Sequence, residues 1–317
     1  MSGGVAALLH GALLLAAGGV AAATVAGFIP SPRGWLDIVT HFRPHLAAAA
    51  LLLAIVAALL CVPPWGVVLA AALAVAAAAN LGVILAQWPC RAAPAGAGGG
   101  TTLTVGVLNV RHRNTDHARI VRWIRAAGPD VLVLVEVSTA WADALEPLAD
   151  LYPHRAIGRT AFVTMIARRP WTACDVLPGP RPKQGLLQAR FDLGSTALTV
   201  IAAHPASPTR PHRVRLRDAE LAMLAALAAA APGPVAALGD FNATPWSAPM
   251  RRLVRASPLR YAGLAATTWP AFLPRWLGLK IDHIMLGNGC AVVDCKVGPD
   301  VGSDHRPVVA TIRCPPP

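Results

Sequence analysis

Hydrophobic and polar positions divide the chain into two parts with different grammars. The first 90 residues carry only three charged side chains, Arg33, Asp37 and Arg43. From Val5 to Ile29 run 25 uncharged, mostly apolar residues, and crossing a hydrocarbon core takes about 20. A second run, Leu46 to Val62, stops at Pro63-Pro64, because proline cannot continue a helix. A third, Trp65 to Trp88, has a tryptophan at each end, where interfacial aromatics sit. The pattern predicts a transmembrane region over 1–89 with helices at about 5–29, 46–62 and 65–88, the last two a tight hairpin. His10 and Asn80 fall inside these spans and read as interhelical or interfacial hydrogen-bonding groups. Residues 90–100, Cys-Arg-Ala-Ala-Pro-Ala-Gly-Ala-Gly-Gly-Gly, read as a flexible tether and a domain boundary.

Residues 101–317 alternate strand-like and helix-like segments. Thr102–Asn109 alternates with a period of two. Ile120, Val121 and Ile124 form one helical face behind caps at Asn114-Thr115-Asp116, and Val131–Val135 is a continuous apolar run suited to a buried strand. Helices are expected near Trp141–Leu151, His212–Ala230 and Ala248–Ala256. Strands are expected at Ala161–Ala167, Leu186–Phe191, Ala197–Ala203, Pro234–Leu238, Ile281–Leu286, Ala291–Val297 and Pro307–Ile312. Many strands with few helices predict an α/β sandwich of mixed sheets with outer helices.

Composition sharpens this picture. The chain is 55% hydrophobic and 14% charged, against roughly 25% charged in soluble domains. This composition argues against disorder and against a wholly soluble single domain. Residues 91–317 hold 26 basic and 15 acidic side chains, which accounts for nearly all of the net charge of +12. A basic surface suits a polyanionic or phosphorylated partner, including an anionic lipid headgroup. Met-Ser-Gly-Gly lacks the basic n-region of a signal peptide. The loop from Pro30 to His45 carries Arg33 and Arg43, which by the positive-inside rule would place the domain in the cytoplasm. Cys290 and Cys295 share one predicted strand and stand about 16 Å apart, too far for a disulfide with each other.

Candidate chemistry gathers at strand ends. Asp240-Phe241-Asn242 follows an apolar strand, so Asp240 and Asn242 face one way while Phe241 turns into the core. Such a pair can orient water and take its proton, or simply form an Asx turn. Glu136 at the exit of Val131–Val135 is placed like a Mg²⁺ ligand or like a surface residue at a loop start. Asp304-His305 can supply a metal ligand and a general base, with Asp282 orienting the imidazole. His283 then points to the opposite face. His204 ends the strand Leu198–Ala203. Arg111, His112, Arg168 and Arg169 are read either as phosphate binders or as solvated charge.

In order, Asn109 in Val-Leu-Asn-Val, Glu136 in Val-Leu-Val-Glu-Val, His204 in Ala-Ala-His-Pro, Gly-Asp-Phe-Asn at 239–242, Ile-Asp-His-Ile at 281–284 and Gly-Ser-Asp-His-Arg-Pro-Val at 302–308 closely resemble the endonuclease/exonuclease/phosphatase family. The resemblance covers residues 101–317 as a catalytic domain and implies a four-layer α/β sandwich of two sheets flanked by helices. It implies Mg²⁺ (or Mn²⁺)-dependent hydrolysis of a phosphate ester, with Asn109, Glu136 and Asp304 around the metal. Asp240 then positions or deprotonates water, Asn242 and His204 hold phosphate oxygens, and His305 with Asp282 supplies acid/base or charge-stabilising help. Some nuclease members pair the equivalent of His204 with a second Glu, yet no Glu lies between Glu146 and Glu220. The expected protein is a membrane-anchored phosphodiesterase or phosphomonoesterase of a bacterial inner membrane. Its substrate is a lipid-linked phosphate or phospholipid, and its domain is extracytoplasmic, as for comparable anchored members. The alternatives are a membrane-tethered nuclease acting on nucleic acid and a non-catalytic binding module on a membrane anchor.

Overall fold

The computed structural model describes residues 3–29, 35–61, 64–96, 99–157, 163–181, 184–194, 196–264 and 266–315. The chain forms two compact units, one of Met1–Pro89 with Trp246–Ala248 and one of Cys90–Pro245 with Pro249–Pro317.

The first unit contains α1 (Gly3–Ala26), α2 (Trp35–His41), α3 (Arg43–Leu60) and α4 (Trp65–Leu85). Stretches of three of them, Ala7–Ala26, Arg43–Leu60 and Trp65–Leu85, are long and apolar enough to cross a membrane. The short α2 was not expected, and Val62 and Pro63, at the predicted break, lie outside the described residues. Ala17, Ala50, Leu73, Ala76 and Ala77 pack together, and such small side chains let helices approach closely. Asn80 is a hub, as its interhelical reading anticipated. Its Nδ2 donates to Thr24 Oγ1 and to Ala76 O, both at 2.9 Å, and its Oδ1 accepts from Arg43 at 3.1 Å. Arg43 also donates to Gly27 O at 2.6 Å and is only 1% exposed. One of the two arginines counted for the positive-inside rule is therefore buried among helices.

The second unit contains β1 (Thr101–Asn109), α5 (His117–Ala127), β2 (Val131–Val135), α6 (Thr139–Ala144), β3 (His154–Ile157), β4 (Val163–Ala167), β5 (Ala173–Pro178) and β6 (Gly185–Asp192). It continues with β7 (Ala197–Ala202), α7 (Pro211–Ala229), β8 (Val235–Asp240), α8 (Ala248–Ala256), β9 (Arg260–Tyr261), β10 (Asp282–Gly287), β11 (Ala291–Val297) and β12 (Val308–Cys314). Local chemistry fixes the ends of α5. Asp116 accepts the Arg119 N–H at its start, and Gly128, at φ 51°, closes it in the left-handed region.

The strands form two six-stranded sheets, ordered β11-β12-β1-β2-β4-β3 and β5-β6-β7-β8-β10-β9. Each has one parallel pair near its middle, β1/β2 and β7/β8, with the remaining pairs antiparallel. Val105, Val107 and Val133 of the first sheet meet Leu187, Val200, Leu238 and Ile284 of the second in one core. The outer face of the first sheet buries Ile120, Ile124 and Trp141 from its helices, and that of the second buries Leu221, Leu224 and Met250. This is the expected four-layer sandwich. Gly239 is required by close approach, since a Cβ there would stand 1.8 Å from Ala203 O.

The expected tether takes a different form. Ala92 N donates to Tyr261 O at 2.8 Å, Ala95 N to Val292 O at 2.7 Å, and Val292 N to Ala93 O at 2.9 Å. Residues 90–96 thus lie along β9 and β11, where edge strands have backbone groups to satisfy. Cys290 bonds not to Cys295 but to Cys314, with Cα atoms 4.2 Å apart. The register Ala291↔Arg313 puts these two cysteines opposite each other at the end of the β11–β12 ladder.

Peptide mapping without reduction should recover the Cys290–Cys314 pair, and Cys314→Ser should lower the domain's unfolding free energy by about 2–4 kcal/mol in urea titrations. Full alkylation of both thiols in the unreduced protein would contradict the assignment.

Candidate active site

Two parallel strand pairs, one in each sheet, and two strand starts deliver the site. Asn109 ends β1, Glu136 follows β2, His204 follows β7, and Asp240 ends β8. Asp282 opens β10, and His305 precedes β12. Because β10 runs antiparallel to β8, with Asp282 opposite Asp240, its start lies at the same edge as the end of β8. β12 stands in the same relation to β1.

These side chains converge. Asn109 Nδ2 lies 3.0 Å from Glu136 Oε1 and 3.0 Å from Asp240 Oδ2. Its Oδ1 accepts the Arg111 N–H at 2.8 Å, so the amide nitrogen is the group facing the carboxylates. His204 stands between the same two acids, Nε2 at 3.6 Å from Glu136 Oε1 and Nδ1 at 3.8 Å from Asp240 Oδ2. His112 approaches Glu136 Oε2 twice, through its backbone N–H at 3.1 Å and Nδ1 at 2.8 Å. On the far side of Asp240, His305 Nδ1 is 2.9 Å from Asp282 Oδ2, and its Nε2 is 3.8 Å from Asp240 Oδ2. Ser303 supports the loop by donating to Asn109 O at 2.6 Å. Glu136 (φ 64°) and Asn242 (φ 49°) both hold left-handed backbone. For non-glycine residues that costs roughly 1–3 kcal/mol each and clusters at functional sites.

Environment pushes the titrations apart. Burial raises the Glu136 pKa, but His204, Asn109 and His112 outweigh it and bring it down to about 2. Burial lowers the His305 pKa, yet the charges of Asp282 and Asp240 push it up to about 10, so the ring is an imidazolium at neutral pH. Complete burial raises Asp240, helped by the neighbouring Asp282 charge. Burial also works against ionised Asp282, but its bond to His305 holds it below the ordinary carboxylate range. Two acids of opposite tendency on one imidazolium are the arrangement expected of a base and an orienting group.

A hard cation suits this donor set. Glu136 offers an ionised oxygen, and the half-buried Asp304 carboxylate has no hydrogen-bond or ion-pair partner among the described residues. Asp240, Asp282 and His305 also bring ligand atoms within 4.8 Å of one another, but the charged imidazole already balances those acids and disfavours a second cation there.

Asp240 forms an Asx turn, its Oδ1 accepting the Asn242 N–H at 2.9 Å, and Asn242 Nδ2 donates to Pro205 O at 3.0 Å. Phe241 is buried as expected. The glutamate absent before position 220 has two replacements. Glu136 itself faces His204, and buried Glu220 accepts from Ala206 N at 2.8 Å and pairs with Arg181 at 2.6 Å. Arg181 also donates to His204 O. Residues 204–206 are thereby fixed at three successive backbone groups. Neither Arg181 nor Glu220 has a sequence signal, because both act through backbone atoms far away in the chain. Arg168 lies at the opposite end of its sheet, its N–H bonded to Asp130 O at 2.9 Å, and takes no part. His283 faces away from the cluster, with Nε2 2.8 Å from Ala243 O and its ring 5.4 Å from that of Phe241.

A two-sheet sandwich with a carboxylate–imidazole cluster at converging strand ends defines a hydrolase of phosphate esters. The chain belongs to the endonuclease/exonuclease/phosphatase family, whose model matches residues 106–305 and whose members are metal-dependent phosphoester hydrolases. Several solved structures share the fold. An endonuclease/exonuclease/phosphatase from Beutenbergia cavernae is 22% identical with a TM-score of 0.56, covering 67% of this chain and 72% of that one. D. rerio TDP2 complexed with a single-strand DNA product is 18% identical at TM-score 0.57, over 67% and 99%. Sphingomyelinase C from Streptomyces griseocarneus is 20% identical at TM-score 0.52, over 67% and 99%. Among curated proteins no sequence matches the chain.

His283 gives a pH test. Burial, with Lys280 nearby, brings its pKa down to about 3, against about 6.5 in an unfolded chain. The unfolded state then binds the extra proton between these values, so this group makes stability fall as pH drops from about 6.5 toward 3. His283→Phe should flatten that part of the acid limb in unfolding titrations and leave turnover within about twofold. A large kinetic loss would place His283 in the reaction.

Proposed function

We propose that this protein is a membrane-anchored, Mg²⁺- or Mn²⁺-dependent phosphoesterase acting on a lipid-borne phosphodiester or phosphomonoester. The convergence of Asn109, Glu136, His204, Asp240, Asp282 and His305 carries the hydrolase reading. Glu136 and Asp304, with Asn109 beside Glu136, would hold the metal, which when bound would supply charge neutralisation at the phosphate. Asp240, whose proton affinity is raised by burial, takes the proton of the attacking water. His204 and Asn242 face the phosphate oxygens. The His305 imidazolium, fixed by Asp282, offsets charge as it builds on phosphorus.

Three span-length helices support the anchor. The anchor and the fold shared with a sphingomyelinase C support a lipid substrate. The nuclease reading also has an observation behind it, the fold shared with TDP2 in complex with single-strand DNA product. An extracytoplasmic domain is supported by the Cys290–Cys314 bond, since disulfides persist in oxidising compartments, and by the burial of Arg43.

The purified protein should hydrolyse phosphoesters only with Mg²⁺ or Mn²⁺ and lose activity in EDTA. Asp240→Asn and His305→Ala should each lower kcat by roughly 10²-fold or more, while Glu136→Gln should mainly raise the Mg²⁺ needed for half-maximal rate. A panel of phospholipid, lipid-linked pyrophosphate, single-strand DNA and RNA ranks the two readings, and preference for nucleic acid would replace the lipid assignment. Alkaline phosphatase fused after Pro317 should be active and green fluorescent protein at the same place dark. The reverse pattern would put the domain in the cytoplasm.

A further inference from the structure

We propose that the loop Ala271–Leu277 is a bilayer-contacting surface that presents the catalytic residues to phosphoesters in a lipid headgroup layer. This rests on the phosphoesterase reading and narrows its substrate class. Phe272 is 75% exposed, Trp276 76% and Leu277 38%. Elsewhere in the domain the exposed large apolar side chains, among the described residues, are two valines on β5 and β11, Val176 and Val293. Three apolar side chains within six residues, two of them aromatic, form a patch rather than scatter.

The loop is built to hold that patch outward. Trp269 and Leu279 exchange backbone hydrogen bonds at its base, at 3.0 and 2.6 Å. Thr267 Oγ1 donates to Arg275 O at 2.6 Å, and Arg275 Nη2 donates to Val297 O and Gly298 O at 3.2 and 3.1 Å. Arg306 Nη2 donates to Ala271 O at 2.6 Å. A loop this well bonded does not expose two aromatics through looseness. The Trp276 indole N–H has no acceptor among the described residues. An amphipathic ring with a free donor matches the headgroup boundary, where tryptophan concentrates.

Charge selects the same occupant. No Asp or Glu occurs between Tyr261 and Ile281. Among the described residues Arg275 and Arg306 bond only to carbonyls and enter no ion pair. Aromatic tips over arginines fit an anionic bilayer surface. The root of the loop is continuous with the cleft. Ala271 N donates to Asp304 O at 2.7 Å, Thr268 Oγ1 accepts from Asp282 N at 3.2 Å, and the Trp269 ring lies 6.5 Å from that of His305.

The test uses the full chain in phosphatidylcholine–phosphatidylglycerol vesicles, with two readouts. Acyl-brominated phosphatidylcholine should quench a tryptophan component that Trp276→Phe removes. A Trp276 component untouched by bromolipid would overturn the proposal, and one also shielded from aqueous iodide would assign the loop to a protein partner instead. The double change Phe272→Ser/Trp276→Ser should lower turnover of a vesicle-borne phosphoester by about tenfold or more, since both rings lose their apolar burial. Turnover of soluble bis(4-nitrophenyl) phosphate should stay within about twofold. Equal losses on both substrates, or none on either, would overturn the proposal, as would hydrolysis of the soluble ester alone by the unaltered protein. Hydrolysis of neither ester would sink the phosphoesterase reading itself, and the quenching result would still decide the loop.

Discussion

The Asn109 amide nitrogen, 3.0 Å from Glu136 and 3.0 Å from Asp240, is the contact on which the site depends. Asn109 and Glu136 belong to one sheet and Asp240 to the other, so this side chain bridges the sandwich at its reactive edge. Two carboxylates brought together away from water repel strongly, and the repulsion grows as the local dielectric falls. A neutral amide donating to both lets them approach without neutralising either. His204 stands between the same acids at 3.6 and 3.8 Å, too far for a hydrogen bond to either carboxylate. Position 109 therefore suits an amide, since an acid would add charge and an aliphatic residue would leave both oxygens unpaired.

The same logic explains the buried imidazolium. His305 lies between Asp282 and Asp240, and its positive charge survives burial only because both acids face it. Removing one partner of such a group leaves an uncompensated charge, typically at a cost of 3–5 kcal/mol. The structure therefore places its chemistry where the backbone is best fixed, at the ends of the two parallel strand pairs and the starts of the strands beside them. Strained backbone at Glu136 and Asn242 is tolerated there because hydrogen bonds on every side over-determine it.

Much of this was legible in the residues. Val131–Val135 was read with its observed ends, because a five-residue apolar run between Pro129-Asp130 and a carboxylate fits a buried strand and little else. The period of two placed Phe241 in the core, where it is buried, although β8 ends at Asp240 and the left-handed Asn242 does not continue its alternation. The six motifs, taken together, identified the family. What escaped was nonlocal or conformational. His154–Ile157 and Arg260–Tyr261 are too short and mixed for a pattern, and both lie at sheet edges. The Gly/Ala composition of residues 90–100 suggested flexibility, but edge pairing of the backbone does not depend on side chains. The pairing of Cys290 with Cys314 follows from the β11–β12 register, which no local spacing encodes. Arg181 and Glu220 act on the backbone around His204 from 23 and 14 residues away.

A double-mutant cycle across the bridge most directly tests whether the two sheets supply halves of a single catalytic unit. Glu136→Gln, Asp240→Asn and the double variant would be compared by kcat/KM at one fixed Mg²⁺ concentration, high enough to saturate the unaltered protein and low enough to expose the Glu136→Gln loss. Residues that act as a unit are strongly non-additive, so the double variant should be little worse than the more damaged single one. Losses that multiply, as they do for independent sites, would mean that Glu136 and Asp240 act separately and that the Asn109 bridge is only structural.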